Sequence, residues 1–194
     1  MKFKFKKKKI FCIEGDWNTD LRKSKSVLSI LDFLKNSANI DYIHRNCSTR
    51  AELEYRLKHF NKYSSYSILY LAFHGSSETL HFGEETISIE ELQEIFRDKL
   101  ESKIVYFGSC QTLKTSDKDL ISEFLNITKA SCVVGFTKDV DFFEGTIIDI
   151  LFFNLAQNYI IPKALKKRFY NDHDYFCKKY GFKIITPEKI NSTI

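Results

Sequence analysis

Ser67-Ile-Leu-Tyr-Leu-Ala-Phe73 runs straight into His74-Gly75, and Lys103-Ile-Val-Tyr-Phe107 runs straight into Gly108-Ser109-Cys110-Gln111-Thr112. Both runs are short, rich in aliphatic and aromatic residues, free of polar alternation and closed by glycine and serine, the pattern of strands covered on both faces. They predict two parallel strands. In an open parallel sheet the carboxyl ends line one edge, and ligands bind in the crevice outside it. His74 and Cys110 are therefore expected at the same edge.

A thiol acts as a nucleophile only as thiolate, so a catalytic cysteine needs a base beside it, and His74 is the candidate. Glycine beside each residue fits this reading, because a bare backbone admits a substrate carbonyl. The N–H groups of Gly75 and Cys110 are candidate oxyanion donors. Taken singly, either residue is more simply a core or loop residue, since buried cysteine ordinarily behaves as a small hydrophobe. The pairing at two strand ends, His before Cys, carries the prediction.

Strand-His-Gly, hairpin and helix, then strand-Ser-Cys-Gln-Thr resembles the caspase-like cysteine peptidases of the caspase, separase and gingipain group, and most of all their CHAT branch. Ala130-Ser-Cys-Val-Val-Gly135-Phe-Thr-Lys-Asp-Val-Asp141, followed by a long apolar helix, is similar to that branch's next strand and acidic turn. The resemblance spans roughly Lys9 to Tyr159. Lys138 stands where the branch usually has tryptophan, a departure at the specificity pocket. The resemblance implies a three-layer caspase-like α/β fold with a mostly parallel sheet of five or six strands. It also implies an endopeptidase using His74 and Cys110 without metal or organic cofactor, acting on protein substrates as a regulated effector in signalling or defence. Asp16, Asp139 and Asp141 are the candidate substrate-binding carboxylates, which would favour cleavage after a basic residue. Asp139 and Asp141 read equally well as caps of the following helix.

Outward from this centre the chain alternates strand and helix. Lys9–Ile13 reads as the first strand, with Asn18 to Asp20 capping a helix through about Lys35; Ile40–His44 reads as the second strand. Thr49-Arg-Ala-Glu52 is a capping box for a helix burying Leu53, Leu57 and Phe60. Thr79–Phe82 and Thr86–Ser88 flank Gly83-Glu-Glu85 as a hairpin in which His81 reads as structural. Ser88-Ile-Glu-Glu91 opens another helix, Ser116 to Asp119 lead into the next, and Ser131–Phe136 is a strand whose Cys132 reads as packing. Glu144–Tyr159 is an apolar helix, Pro162 starts a basic one, and Gly181 precedes a short edge strand. His173 and Cys177, four residues apart, lack the further ligands a metal site needs.

Apolar residues at 43% and only 2 Pro describe a folded chain rather than a disordered one, and no internal repeat or boundary divides it, so residues 1–194 read as one domain. The Lys-rich start lacks the apolar core of a secretory signal, and no stretch is long enough to span a bilayer. Five scattered cysteines fit a reducing compartment, and the expected location is cytoplasmic. Lys6 to Lys9 read as a solvated sheet edge rather than a nucleic-acid contact, since no basic-aromatic nucleic-acid motif follows. Activation by a partner chain, a small messenger or dimerisation is equally compatible with the sequence. Two rival classes share the pattern: a catalytically silent caspase-like binding module, and a TIR-like domain whose function would sit on a carboxylate such as Glu14 or Glu144.

Overall fold

The computed structural model describes residues 6–18, 20, 22–23, 25–60 and 62–187. A six-stranded sheet in the order β2-β1-β3-β7-β8-β9 forms the centre. Its strands are β1 (Lys9–Glu14), β2 (Tyr42–Asn46), β3 (Tyr66–Ala72), β7 (Ile104–Phe107), β8 (Cys132–Phe136) and β9 (Phe182–Ile185). All pairings are parallel except β8 with β9. This is the mostly parallel three-layer α/β architecture the strand pattern predicts.

The missing polar alternation in the strands follows from the two cores. From β3, Leu69 and Leu71 enter one core while Ile68, Tyr70 and Ala72 enter the other. Helices α2 (Arg50–Phe60), α3 (Ile89–Ile95) and α4 (Leu120–Thr128) cover the first face, through residues such as Leu57, Leu92 and Phe124. Helices α1 (Leu28–Ala38), α5 (Phe142–Ala156) and α6 (Pro162–Tyr180) cover the second, through Leu31, Phe152 and Phe169. Every side chain of β3 from Ile68 to Ala72 is thus removed from water, and hydrophobic burial favours a run with no polar member.

A second sheet, β4 (His74–Ser76), β5 (Thr79–Phe82) and β6 (Glu85–Ser88), is antiparallel and fills the gap between β3 and α3. The hairpin β5–β6 is as predicted, with Gly83 in the left-handed region at φ 63°. That His74 itself belongs to a strand is new. It pairs with His81, whose Nε2 lies 2.7 Å from Ser76 Oγ, so His81 is a structural member of this sheet.

Several boundaries differ for identifiable reasons. The first helix begins at Leu28 rather than near Asp20, because its start is held from afar: the Val27 N–H donates to Glu14 Oε1 at 2.7 Å. Thr19, Leu21 and Ser24 of the expected start lie outside the described residues. Glu52 N donates to Thr49 Oγ1 at 3.3 Å, but the Glu52 carboxylate accepts from Ser48 N rather than closing the box on Thr49. Ser88 and Glu91 form the complete reciprocal box. The described lysines of the amino terminus do not guard an edge, since β1 is flanked by β2 and β3. Lys8 Nζ instead donates to the carbonyls of Ala156 and Tyr159 at the end of α5, and Lys9 pairs with Asp41 at 2.8 Å. Residues 1–5 lie outside the described part. Among the described residues no helix is long and apolar enough to cross a membrane.

Candidate functional site

Register brings the imidazole and thiol to one level. Leu71 is opposite Phe107 in the parallel β3–β7 ladder, and the Gly108 N–H extends it to Leu71 O at 2.9 Å. His74 and Cys110 each lie three positions beyond that last pair. The segments after β1 and β8 close the crevice: a cleft with a volume of about 40 Å³ is bounded by Trp17, His74, Cys110, Val140, Phe142 and Asp149. β1 is the strand from which the chain turns to opposite sides, to β2 and to β3, and such switch points open crevices.

His74 is exposed, and its Nε2 lies 3.0 Å from the Trp17 carbonyl oxygen. A carbonyl only accepts, so Nε2 carries the proton and Nδ1 keeps a lone pair. The Trp17 indole packs edge-on against this ring, with centroids 5.2 Å apart. Cys110 is half-buried. Its Sγ stands 3.4 Å from both Val140 N and Val140 O: the thiol donates to the carbonyl, and the N–H is placed to stabilise a thiolate. No hydrogen bond joins Sγ to the His74 ring.

The backbone after Cys110 is unusual. Gln111 is left-handed at φ 55°, a region that disfavours a residue with a side chain, and it persists because three contacts hold it. Gln111 N donates to Lys138 O, its amide donates to Asp139 Oδ1 at 2.7 Å, and its own carbonyl accepts from Lys114 N. The Cys110 N–H finds no acceptor among the described residues, as an oxyanion donor requires. Gly75 is forced by packing: a Cβ there would stand 2.7 Å from Cys110 O and 2.9 Å from Ser109 Cβ. The strand carrying His74 and the loop carrying Cys110 therefore touch backbone to backbone.

Of the three candidate specificity carboxylates only Asp141 borders the cleft, and it also caps α5 by accepting from Phe143 N at 2.8 Å. Asp139 holds Gln111 and Asp16 accepts from Ser48 Oγ at 2.7 Å; neither reaches the cleft wall. The carboxylate at the cleft floor is one the sequence reading passed over. Asp149 is 3% exposed and accepts from the phenols of Tyr70, at 2.5 Å, and Tyr106. Burial raises its pKa to about 7 despite those two donors. Its only sequence signal is one acid inside Ile147-Ile-Asp-Ile-Leu-Phe-Phe153.

The remaining cysteines have a different environment. Burial raises the thiol of Cys132 to about 12, of Cys47 to about 11 and of Cys177 to about 11, and pushes Cys12 well above its usual value. His173 breaks the helical geometry of α6 at φ −132°. Among the described residues no group of three or more His, Cys, Asp or Glu side chains could hold a metal ion.

Fold and cleft together define a three-layer α/β protein with an imidazole and a thiol at the carboxyl edge of its sheet. The chain belongs to a family described as a family of unknown function (DUF6642), which it matches over residues 7–185. No curated protein matches it.

Proposed function

We propose that this protein is a caspase-like cysteine endopeptidase of the CHAT type, with Cys110 as nucleophile and His74 as general base and acid. The observation that carries the reading is the shared cleft: Cys110 and His74 line it together, with the His74 Nε2 proton committed to Trp17 O and Nδ1 left to accept. Nδ1 takes the thiol proton, and sulfur attacks the scissile carbonyl carbon. The oxyanion is held by the Cys110 N–H and by that of Gly75, whose strand lies against the Cys110 loop, each such donor contributing about 3 kcal/mol to the barrier reduction. The imidazolium then protonates the amine as the C–N bond breaks, leaving a thioester. Water hydrolyses the thioester, giving its proton to Nδ1, and the free thiol returns.

Cleavage after a basic residue is part of the proposal. Asp149 at the cleft floor and Asp141 at its rim make the cleft acidic, and an entering cation would draw the Asp149 proton off. The resting volume of about 40 Å³ suits water rather than a lysine or arginine side chain, so substrate must part Trp17 from Phe142, whose rings now stand 5.1 Å apart. A regulated role in signalling or defence follows from the resemblance, and a cytoplasmic location from the scattered cysteines; activation by a ligand or partner belongs to the same proposal.

The silent binding module has one observation in its favour, the Cys110 thiol directed at Val140 O rather than at His74. The TIR-like reading is disfavoured, because Glu14 has its oxygens fully engaged and Glu144 pairs with Lys179 and Tyr180. Incubation with a peptide library separates the two surviving readings. A peptidase cleaves it, and both Cys110→Ala and His74→Ala stop cleavage without loss of folding. Cleavage equal to that of the parent chain in Cys110→Ala would remove Cys110 as nucleophile.

A further inference from the structure

We propose that Glu14 is a positioning residue for His74, acting through Trp17; the inference rests on the dyad reading above. Glu14 closes β1 at the carboxyl edge and is 2% exposed. Its Oε1 accepts from Trp17 Nε1 at 2.6 Å and Val27 N at 2.7 Å, and its Oε2 from Ser26 Oγ at 2.7 Å and His44 Nε2 at 2.6 Å. A carboxylate offers four lone-pair directions, and here four donors occupy them. Burial works to raise the Glu14 pKa, and the bonds from His44, Ser26, Trp17 and Val27 outweigh it, so the group stays below its ordinary value and ionised.

Three of these donors, on Trp17, Ser26 and Val27, come from the two ends of the segment joining β1 to α1, and the fourth, His44, comes from β2. One carboxylate therefore ties down Trp17 and Ser26–Val27 together, and the placement of Trp17 has a direct consequence for the dyad. Its carbonyl accepts the His74 Nε2 proton at 3.0 Å, and its ring stands edge-on to both His74 and Phe142. The chain of contact runs Glu14 to Trp17 Nε1 and Trp17 O to His74 Nε2, and leaves His74 Nδ1 unengaged among the described residues. Without the anchor the carbonyl drifts, the imidazole loses both its fixed tautomer and its orientation, and a displacement of about 1 Å in such a group costs on the order of a hundredfold in rate.

The conservative variant makes the inference sharp. In Glu14→Gln the amide oxygen can keep Trp17 Nε1 and Val27 N. The amide nitrogen can donate to Ser26 Oγ and to a His44 ring that has moved its proton to Nδ1. Charge is lost and placement is kept, whereas Glu14→Ala loses both.

Iodoacetamide alkylation of Cys110 in the full chain, followed by mass spectrometry from about pH 5 to about pH 9, reads the dyad without a known substrate. A thiol coupled to an imidazole reacts well below the ordinary thiol range, and His74→Ala abolishes that low-pH reactivity. Glu14→Ala is expected to slow Cys110 labelling near pH 6.5 by on the order of 10- to 100-fold and to leave a simple thiol titration. Glu14→Gln is expected to stay within about threefold of the parent with the same profile shape. Trp17→Phe keeps an aromatic ring at this position while removing the anchored N–H with the pyrrole part of the indole, so it reports even where Glu14→Ala fails to fold, with a several-fold loss expected. Parental labelling in both Glu14→Ala and Trp17→Phe overturns the inference while leaving the dyad intact, and so does an equal loss in Glu14→Gln and Glu14→Ala. Indifference of Cys110 to His74→Ala overturns the dyad reading and this inference with it.

Discussion

Replacing Asp149 with Asn should make the protein's stability less sensitive to pH, and the sign follows from where that carboxyl sits. In the unfolded chain Asp149 titrates near the ordinary 3.8, whereas burial holds it to about 7 in the fold. Between those values the folded state keeps a proton the unfolded state has released. Stability contributed by this group is therefore fully present below about pH 4 and is lost as pH rises toward 7. Each unit of separation corresponds to about 1.4 kcal/mol, so roughly three units set a ceiling near 4 kcal/mol. Asn can accept from one phenol and donate to the oxygen of the other, filling the same space without titrating. Glu14, held below its ordinary value, destabilises the fold in acid, but it does so in both proteins and cancels from their difference. Urea denaturation of the two proteins at about pH 5, 6, 7 and 8 measures that difference. The variant should gain on the parent by roughly 1 kcal/mol per unit from pH 5 to 7, and the gap should then level off. A gap that stays constant across this range would show that Asp149 is not held protonated between Tyr70 and Tyr106.

Gln111 tests the strained turn behind Cys110. Gln111→Gly should be nearly neutral, since relief of the left-handed conformation offsets the lost bond to Asp139, whereas Gln111→Val should cost at least about 1–2 kcal/mol in urea denaturation because a β-branched residue resists φ 55°. Gly75 tests the contact between β4 and the Cys110 loop. Gly75→Ala must push the Cys110 carbonyl and Ser109 away, costing about 1–3 kcal/mol, and should slow Cys110 alkylation while the other cysteines label as before; unchanged labelling would mean the loop does not depend on this approach.

What the sequence made legible was whatever strands and their ends determine locally. An apolar run without alternation needs cover on both faces, and Ile68 to Ala72, divided between two cores, receives it. Parallel pairing of two such runs then brings residues just past their ends to one level, so His74 and Cys110 share a cleft although neither touches the other in sequence. The capping box at Ser88 and Glu91 and the Asp141 cap belong to the same class, since donor and acceptor lie within three residues.

The parts that escaped depend on acceptors far along the chain. The start of α1 is held both locally and from afar: Ser26 Oγ accepts from Leu28 N at 3.0 Å, while Val27 N borrows its acceptor from Glu14, and no helix signal near Asn18 or Asp20 belongs to it. Asp149 looked like a solitary acid in an apolar helix. Its role depends on two phenols from β3 and β7, and Tyr70 and Tyr106 read in sequence as ordinary strand aromatics. The carboxylates expected to meet substrate, Asp16 and Asp139, are spent on neighbouring loops. In this protein the exposed acids Asp16 and Asp139 hold side chains of neighbouring loops, and the buried ones, Glu14 and Asp149, support or border the cleft. That division follows from desolvation: a carboxyl group persists in an apolar layer only where several donors converge on it, and such convergence requires elements that meet only after folding.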